Sequence, residues 1–369
     1  WTGQTKDYAE DKMHRITCTL PTQTPWRMVV CGSPKTIFET TMTENLCPPT
    51  EMTDLSWIKP GVSAWYWGGS DGGKSEITNT YGSLHKGEWT HCELAADMGW
   101  NYYLIDAGWN NSWFPTFVNN ANAKGVDCLL WGDSRLIYSK AFSNENMDAT
   151  LKQWKDWGIK GIKVDFWEDE SKEAMARMEK LYQTAAKHHM LVNLHGCTRP
   201  SGLRRTYPHI MTQEGIYGGE QQFWNPKLNT AQHHLDVLFT RNVVGAMDFT
   251  PGIFDLRYHN TINKAAATAD GSVNDAYDYT FYVNSTLAHQ LAQYVVFYSP
   301  IQMVADLPDN YREHDDALQF IRDVPVDWAT TKCLDGEIGD YVVTARKDKY
   351  SDDWYVGGIT DGERREVSL

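Results

Sequence analysis

The chain has no stretch of the roughly 18 consecutive apolar residues that a membrane-spanning helix requires, so no bilayer span is read in it. It is also short of positive charge: 34 Lys and Arg stand against 48 Asp and Glu, a formal net charge of −14. Nucleic acids and anionic membranes both reward a basic surface, so neither is expected as a partner. The seven cysteines include no CxxC pair and no Cys/His set at zinc spacing, which argues against a disulfide framework and a zinc site. An odd count leaves at least one thiol free in a monomer. The opening WTGQTKDYAED has no initiator Met and no basic segment followed by an apolar one, so no targeting signal is expected in it. No fixed sequence period recurs, which argues against a solenoid.

What is present suits a barrel-sized domain with appendages. The chain has 369 residues, 41% of them hydrophobic, enough for a substantial core. Sixteen tryptophans and nineteen tyrosines are many for this length. Most such rings serve cores, but ring faces also stack on the apolar faces of pyranoses.

From Gly61 onward a short apolar run is repeatedly followed by a loop and a helical pattern. The runs are VSAWYW (62–67), YYLID (102–106), VDCLLW (126–131), GIKVDFW (161–167), MLVNLHG (190–196), HIMTQEG (209–215), VVGAMDF (243–249) and YVVFYS (294–299). Continuous apolar character predicts strands covered on both faces, as in a parallel sheet. Helical stripes fill several gaps: Ala174, Met175, Met178, Leu181, Tyr182 and Ala185 form one, and Ala231, Leu235, Leu238 and Phe239 another. Eight strands with intervening helices predict an α/β fold, a (β/α)8 TIM barrel over residues 58–310. The flanks read as partial β-domains. Residues 1–57 carry HRITCTL, WRMVVCG and TIFETTM before the breaker NLCPPTEMTD, and residues 311–369 carry EIGDYVVTARK and DDWYVGGIT, a hairpin pair.

Barrel enzymes hold their chemistry at the C-terminal ends of strands. Polar residues stand at several of the predicted ends: Asp106, Lys163 and Asp165, His195, Glu214, and Asp248. Lys163 and Asp165, two apart on a strand, point the same way. They serve either as a structural ion pair or as a carboxylate kept ionised by a neighbouring ammonium. In TQEGIYGGEQQFW (212–224), Gly215, Gly218 and Gly219 permit a sharp bend that brings Glu214 and Glu220 towards one point. The alternative is a solvated loop whose charges cap the next helix. Clustered carboxylates with no thiol or imidazole set favour a hard cation such as Ca²⁺. Trp65, Trp67, Trp109 and Trp131 fall at strand ends, as a stacking wall or as core. The pairs His188–His189 and His233–His234 lie on helical stretches and read as ordinary surface or core residues.

The ordered motifs WIKPGVSAWYWGG, LIDAGW, GIKVDFW, LHGCTRPSGLRRTYPHIMTQEG, GEQQFWNP, DFTPG and LDGEIGDYVVTARK run through the whole chain. On them the chain resembles glycoside hydrolase family 97, calcium-dependent α-glycosidases. The resemblance implies that residues 1–57 are the C-terminal remnant of an N-terminal β-sandwich, and that residues 311–369 are an incomplete C-terminal β-domain. It implies a calcium site with Glu214 and Glu220 as ligands, completed from the sandwich.

Inverting members carry a base glutamate just after the histidine of the fifth strand, where this chain has Gly196. The resemblance therefore places the chain in the retaining branch, with Asp165 as nucleophile and Glu220 as proton donor. Asp106, Lys163 and His195 are then expected to grip sugar hydroxyls, each with a purely structural role as the alternative. The expected substrate is an α-galactoside, with a β-L-arabinopyranoside as the near alternative. A carbohydrate-binding barrel without catalysis is the reading from another class. Secretion or a periplasmic location is the family expectation.

Overall fold

The computed structural model describes residues 19–24, 26–66, 84–110, 113–167, 170–223, 227–261 and 278–368. Its centre is a seven-stranded parallel sheet. In chain order the first strands are β1 (Gly61–Trp65), β2 (Tyr102–Ile105), β3 (Asp127–Asp133), β4 (Gly161–Asp165), β5 (Leu191–Leu194) and β6 (Ile210–Gln213). A hairpin of β7 (Arg257–Thr261) and β8 (Asp278–Tyr282) intervenes before β9 (Ile301–Val304). The sheet runs β6-β5-β4-β3-β2-β1-β9. The segment 246–249 crosses the remaining gap without forming a regular strand. Met247 N–H donates to Tyr298 O (2.8 Å), and Asp248 N–H donates to Gln213 O (3.0 Å). The fold is a (β/α)8 TIM barrel whose seventh staves are these irregular residues.

Strand parity explains what faces where. Val62, Ala64, Tyr103, Ile105, Leu130, Ile162, Val164, Val192 and Leu194 pack in the large cluster beneath the helices. Trp65, Tyr102, Leu104, Leu129, Leu191, Met211, Ile301 and Met303 fill the barrel interior. Successive side chains alternate between the two faces. Asp106, Lys163, Asp165, Asn193 and His195 share the interior parity, one or two steps above the apolar plug. The helices include Leu84–Met98, Phe114–Ala123, Met147–Asp156, Lys172–Lys187, Ala231–Phe239 and Leu287–Val296. Hydroxyl caps start three of them: Ser171, Thr230 and Thr286 accept from the N–H of Ala174, His233 and His289. No helix among the described residues is long and apolar enough to cross a membrane.

Several expectations need correction. YVVFYS does not form the eighth strand: residues up to Val296 end the helix Leu287–Val296, and the strand is the following IQMV. A short apolar run cannot by itself tell a buried helix end from a strand, and here the flanking Leu287 and Leu291 extend it as a helix. In VVGAMDF, Asn242–Val244 is a 3-10 turn and Gly245 has φ +135°, so regular pairing stops before Asp248. TIFETTM is not β but two short helices, Pro34–Phe38 and Met42–Asn45; Pro34 at the first helical position and the Ser33 cap start the first. WRMVVCG forms no regular element, and most of HRITCTL lies outside the described residues.

The C-terminal hairpin is present and gains a third strand. Strands β10 (Trp328–Glu337), β11 (Tyr341–Asp348) and β12 (Trp354–Thr360) form an antiparallel sheet in that order. It packs on the helix Leu287–Val296 at close range. A Cβ on Gly357 would lie 2.7 Å from Val295 Cβ, and Arg346 Nη2 donates to Val296 O (3.0 Å). The described cysteines, Cys31, Cys47, Cys92, Cys128, Cys197 and Cys333, are all free thiols.

Candidate active site

At the C-terminal mouth of the barrel, β4 presents Lys163 and Asp165 inward. Lys163 is 2% exposed, and its Nζ sits 3.4 Å from the centroid of the Trp65 ring. Trp65 in turn donates its indole N–H to Asp106 Oδ2, and Asp106 Oδ1 accepts from Ala107 N–H (2.6 Å). Burial works against the Lys163 charge. The carboxylates of Asp106, Glu220, Asp165 and Asp248 outweigh it, so the ammonium stays above the usual lysine value. One buried cation thus feels four acids from four different parts of the chain.

The Asp165 carboxylate is held from two sides. Phe166 N–H donates to Oδ1 (2.6 Å), and the Trp131 indole N–H donates to Oδ2 (3.3 Å). The first bond requires an unusual backbone: Phe166 has φ +63°, a left-handed conformation that a residue with a large side chain adopts only when its surroundings impose it. The end of β3 supplies that constraint. Ser134 N–H donates to Asp165 O (2.9 Å), and Ser134 Oγ donates to Phe166 O (2.8 Å). Across the site, Gly196 has φ +50°, and a Cβ there would stand 2.8 Å from Asp165 Oδ1 and 2.8 Å from Phe166 N. Position 196 has no room for a side chain while Asp165 is in place.

The other half gathers around His195. Its Nε2 bonds Asp248 Oδ2 (2.6 Å), which also accepts from Asn193 Nδ2 (2.6 Å). Its Nδ1 lies 3.7 Å from Glu214 Oε2, and that oxygen accepts from Gly196 N–H (2.7 Å). Burial and Lys163 oppose a charge on His195, but Glu214 and Asp248 raise it to about 9, an imidazolium at neutral pH. Burial would raise Asp248 too, but His195, Lys163 and Asn193 hold it below the usual aspartate value. Glu220 is pushed up to about 8, by burial first and then by Glu214, with Lys163 and His195 opposing. The surroundings of Glu220 thus favour its protonated form.

All six residues singled out in the sequence therefore meet at one mouth. Asp248 and Asn193 are site members to which no role was given. Asp248 was visible only as a polar strand end. Nothing in the sequence pattern marks Asn193, whose partner lies on the irregular segment beyond β6.

The tryptophan wall does not form as expected. Trp65 lies under Lys163 and Trp131 bonds Asp165. Trp109 instead packs among Phe114, Trp154 and Trp157 behind the sheet, and Trp67 is outside the described residues.

Nitrogen and oxygen atoms of His195, Glu214 and Glu220 lie within 4.8 Å of one another, the one such cluster among the described residues. Oxygen-only ligation was expected, and an imidazole is present as well. Two carboxylates crowded together fit a hard divalent cation, but they supply only part of the six to eight oxygens that calcium takes.

Profiles of two families match the chain: Glycoside hydrolase 97 over residues 65–216, and Glycosyl-hydrolase 97 C-terminal, oligomerisation, over residues 327–369. The chain belongs to glycoside hydrolase family 97. Among curated relatives, it is 35% identical over 365 residues to a "Probable retaining alpha-galactosidase" of Streptomyces bingchenggensis, covering 94% of this chain and 51% of that protein. It is 32% identical to the "Retaining alpha-galactosidase" of Bacteroides thetaiotaomicron, covering 95% and 52%. The chain thus spans about half the length of these relatives. Solved structures superpose on it. One is an enzyme of Pseudoalteromonas sp. strain K8 in complex with acarbose, at TM-score 0.73 and 29% identity, over 89% of this chain and 54% of that one. A β-arabinopyranosidase matches at TM-score 0.73 and 27% identity, over 88% and 50%.

Proposed function

We propose that this family 97 chain carries the site of a retaining exo-α-glycosidase of the α-galactosidase type. Asp165 is the nucleophile and Glu220 the acid and base. The observation that carries the reading is the contact between Gly196 and Asp165. A base at 196 and a carboxylate at 165 would occupy the same space, and this chain has the carboxylate. The names of the curated relatives support the same branch.

In the first step an Asp165 oxygen attacks the anomeric carbon while the glycosidic bond breaks. The departing oxygen takes the proton of Glu220, leaving a β-linked glycosyl-enzyme. The surroundings suit Glu220 to that role, since they raise its proton affinity to match work near neutral pH. In the second step ionised Glu220 takes a proton from water, whose oxygen attacks the anomeric carbon and frees Asp165. Two inversions give net retention. Lys163, Asp106 and His195 line the same mouth with fixed charges and are assigned to the sugar hydroxyls.

Glu214 and Glu220, beside His195, are the residues that would hold calcium. Held there, the ion would supply a fixed positive charge against the crowded carboxylates.

An aryl α-galactoside, followed by NMR in the first minutes, tests the proposal. The α-anomer of galactose is expected first. A β-anomer, or turnover of the aryl α-glucoside alone, would overturn it. The β-arabinopyranosidase likeness favours a second reading, because that sugar is galactose without its hydroxymethyl group. Side-by-side kcat/KM values on the two aryl glycosides decide between them.

A further inference from the structure

The bend that carries Glu220 is held by side chains that play no part in the chemistry above. Asn229 is 1% exposed, and its Nδ2 donates to Gly218 O (2.6 Å), two residues before Glu220. Its Oδ1 accepts from His234 Nε2 (2.6 Å). That bond fixes the tautomer of His234, because an amide oxygen facing Nε2 requires the proton there. His234 Nδ1 is then an acceptor. It receives Gln293 Nε2 (3.2 Å) and His289 Nε2 (2.8 Å), both from the helix Leu287–Val296. Donors face acceptors along the chain of bonds, with two donors sharing the one lone pair of His234 Nδ1, while Gln293 Oε1 is buried without a partner. Burial holds His234 well below the usual histidine value, with His289 and His233 adding to the effect, in keeping with a neutral ring.

A second tie runs in parallel: His233 Nε2 donates to Tyr217 O (2.7 Å). The far side of the bend docks on backbone, with Gly219 N–H donating to Phe249 O (2.6 Å). A Cβ on Gly219 would collide with Thr250 O. Two adjacent carbonyls of the bend are therefore gripped by adjacent histidines, one directly and one through Asn229.

We propose that Asn229, oriented by His234, is a positioning residue for the Glu220 carboxyl: the buried chain from His289 and Gln293 through His234 and Asn229 to Gly218 O sets where the acid's proton is delivered. The inference rests on the assignment of Glu220 as acid and base. It explains why a histidine with no substrate contact is buried beneath the site.

The test separates positioning from folding by the leaving group. Substrates that depart poorly need the proton of Glu220, and those that depart readily do not. In the whole protein, Asn229→Ala is expected to lower kcat/KM for an alkyl α-galactoside by about 30- to 100-fold. For 2,4-dinitrophenyl α-galactoside the loss should stay within about threefold. His234→Leu should give the same split. His234→Gln, which can still donate to Asn229 and accept from Gln293, should return the alkyl substrate to within about threefold of wild type. Equal losses on both substrates, or none on either, would overturn the inference. So would failure of both Asn229→Ala and His234→Leu to fold, which would assign the network to stability alone. Wild-type protein inert on both substrates would instead remove the glycosidase reading, and this inference with it.

Discussion

The two carboxyl groups assigned to catalysis are held by different kinds of structure. Asp165 ends a strand, and its position is set by backbone: the neighbouring strand end at Ser134 grips the Asp165 and Phe166 carbonyls, and a left-handed Phe166 turns its own N–H onto the carboxylate. Glu220 sits on a glycine-rich bend, with the side chains of Asn229 and His233, just before and on the helix Ala231–Phe239, holding the carbonyls before it. A sheet-held group has few ways to be displaced by one substitution elsewhere. A bend held by side chains can be loosened by degrees. The nucleophile should therefore behave as all or none, and the acid as graded.

The largest effect expected is for Asp165→Asn. Hydrolysis should fall by about 10⁴-fold or more, irrespective of leaving group, because no bond to the sugar can form. Steady-state rates on both activated and alkyl glycosides check this, and a loss confined to alkyl substrates would break the comparison. Glu220→Gln comes next, with about 10³-fold lost on alkyl α-galactosides and far less on 2,4-dinitrophenyl glycosides.

Gly196→Ala should cost about 10²-fold in kcat, since the new methyl group must displace Asp165 or Phe166. The positive φ should add about 1–3 kcal/mol of destabilisation, readable as a lower Tm. The smallest effect concerns pH. A general acid works only while protonated, so kcat/KM should fall as pH rises through the Glu220 value, about 8 without metal. A cation on the carboxylate favours its ionised form, so calcium should move that basic limb to lower pH and chelation should move it back up. A limb indifferent to both would remove calcium from Glu220.

The same contrast governs how much could be read from the sequence. The strand-borne half was legible, because continuous apolar runs placed Asp106, Lys163, Asp165 and His195 at strand ends and period-two parity put Lys163 and Asp165 on one face. The bend was legible as a bend through its glycines. Its supports were not: Asn229 and His234 meet Gly218 only through packing between helices and barrel, and paired histidines on a helical stretch look like any others. Asp248 was visible as an acid, but its bonds to His195 and Asn193 depend on an irregular segment that no periodicity describes. The eighth strand was misplaced for a related reason, since Tyr294, Val295 and Val296 are as apolar at the end of a buried helix as they would be in a sheet.

The contact at Gly196 also constrains how such a site can change by mutation. A side chain at 196 and a carboxylate at 165 compete for one space, so neither can be added without displacing the other. A lineage moving between the two arrangements must pass through a protein with neither group, or change both positions together. The left-handed backbone at 196 adds a third requirement, because it would have to relax before a larger residue settled there. One glycine thus acts as a historical ratchet, and single-substitution libraries of this chain should contain no variant that has exchanged one stereochemical outcome for the other.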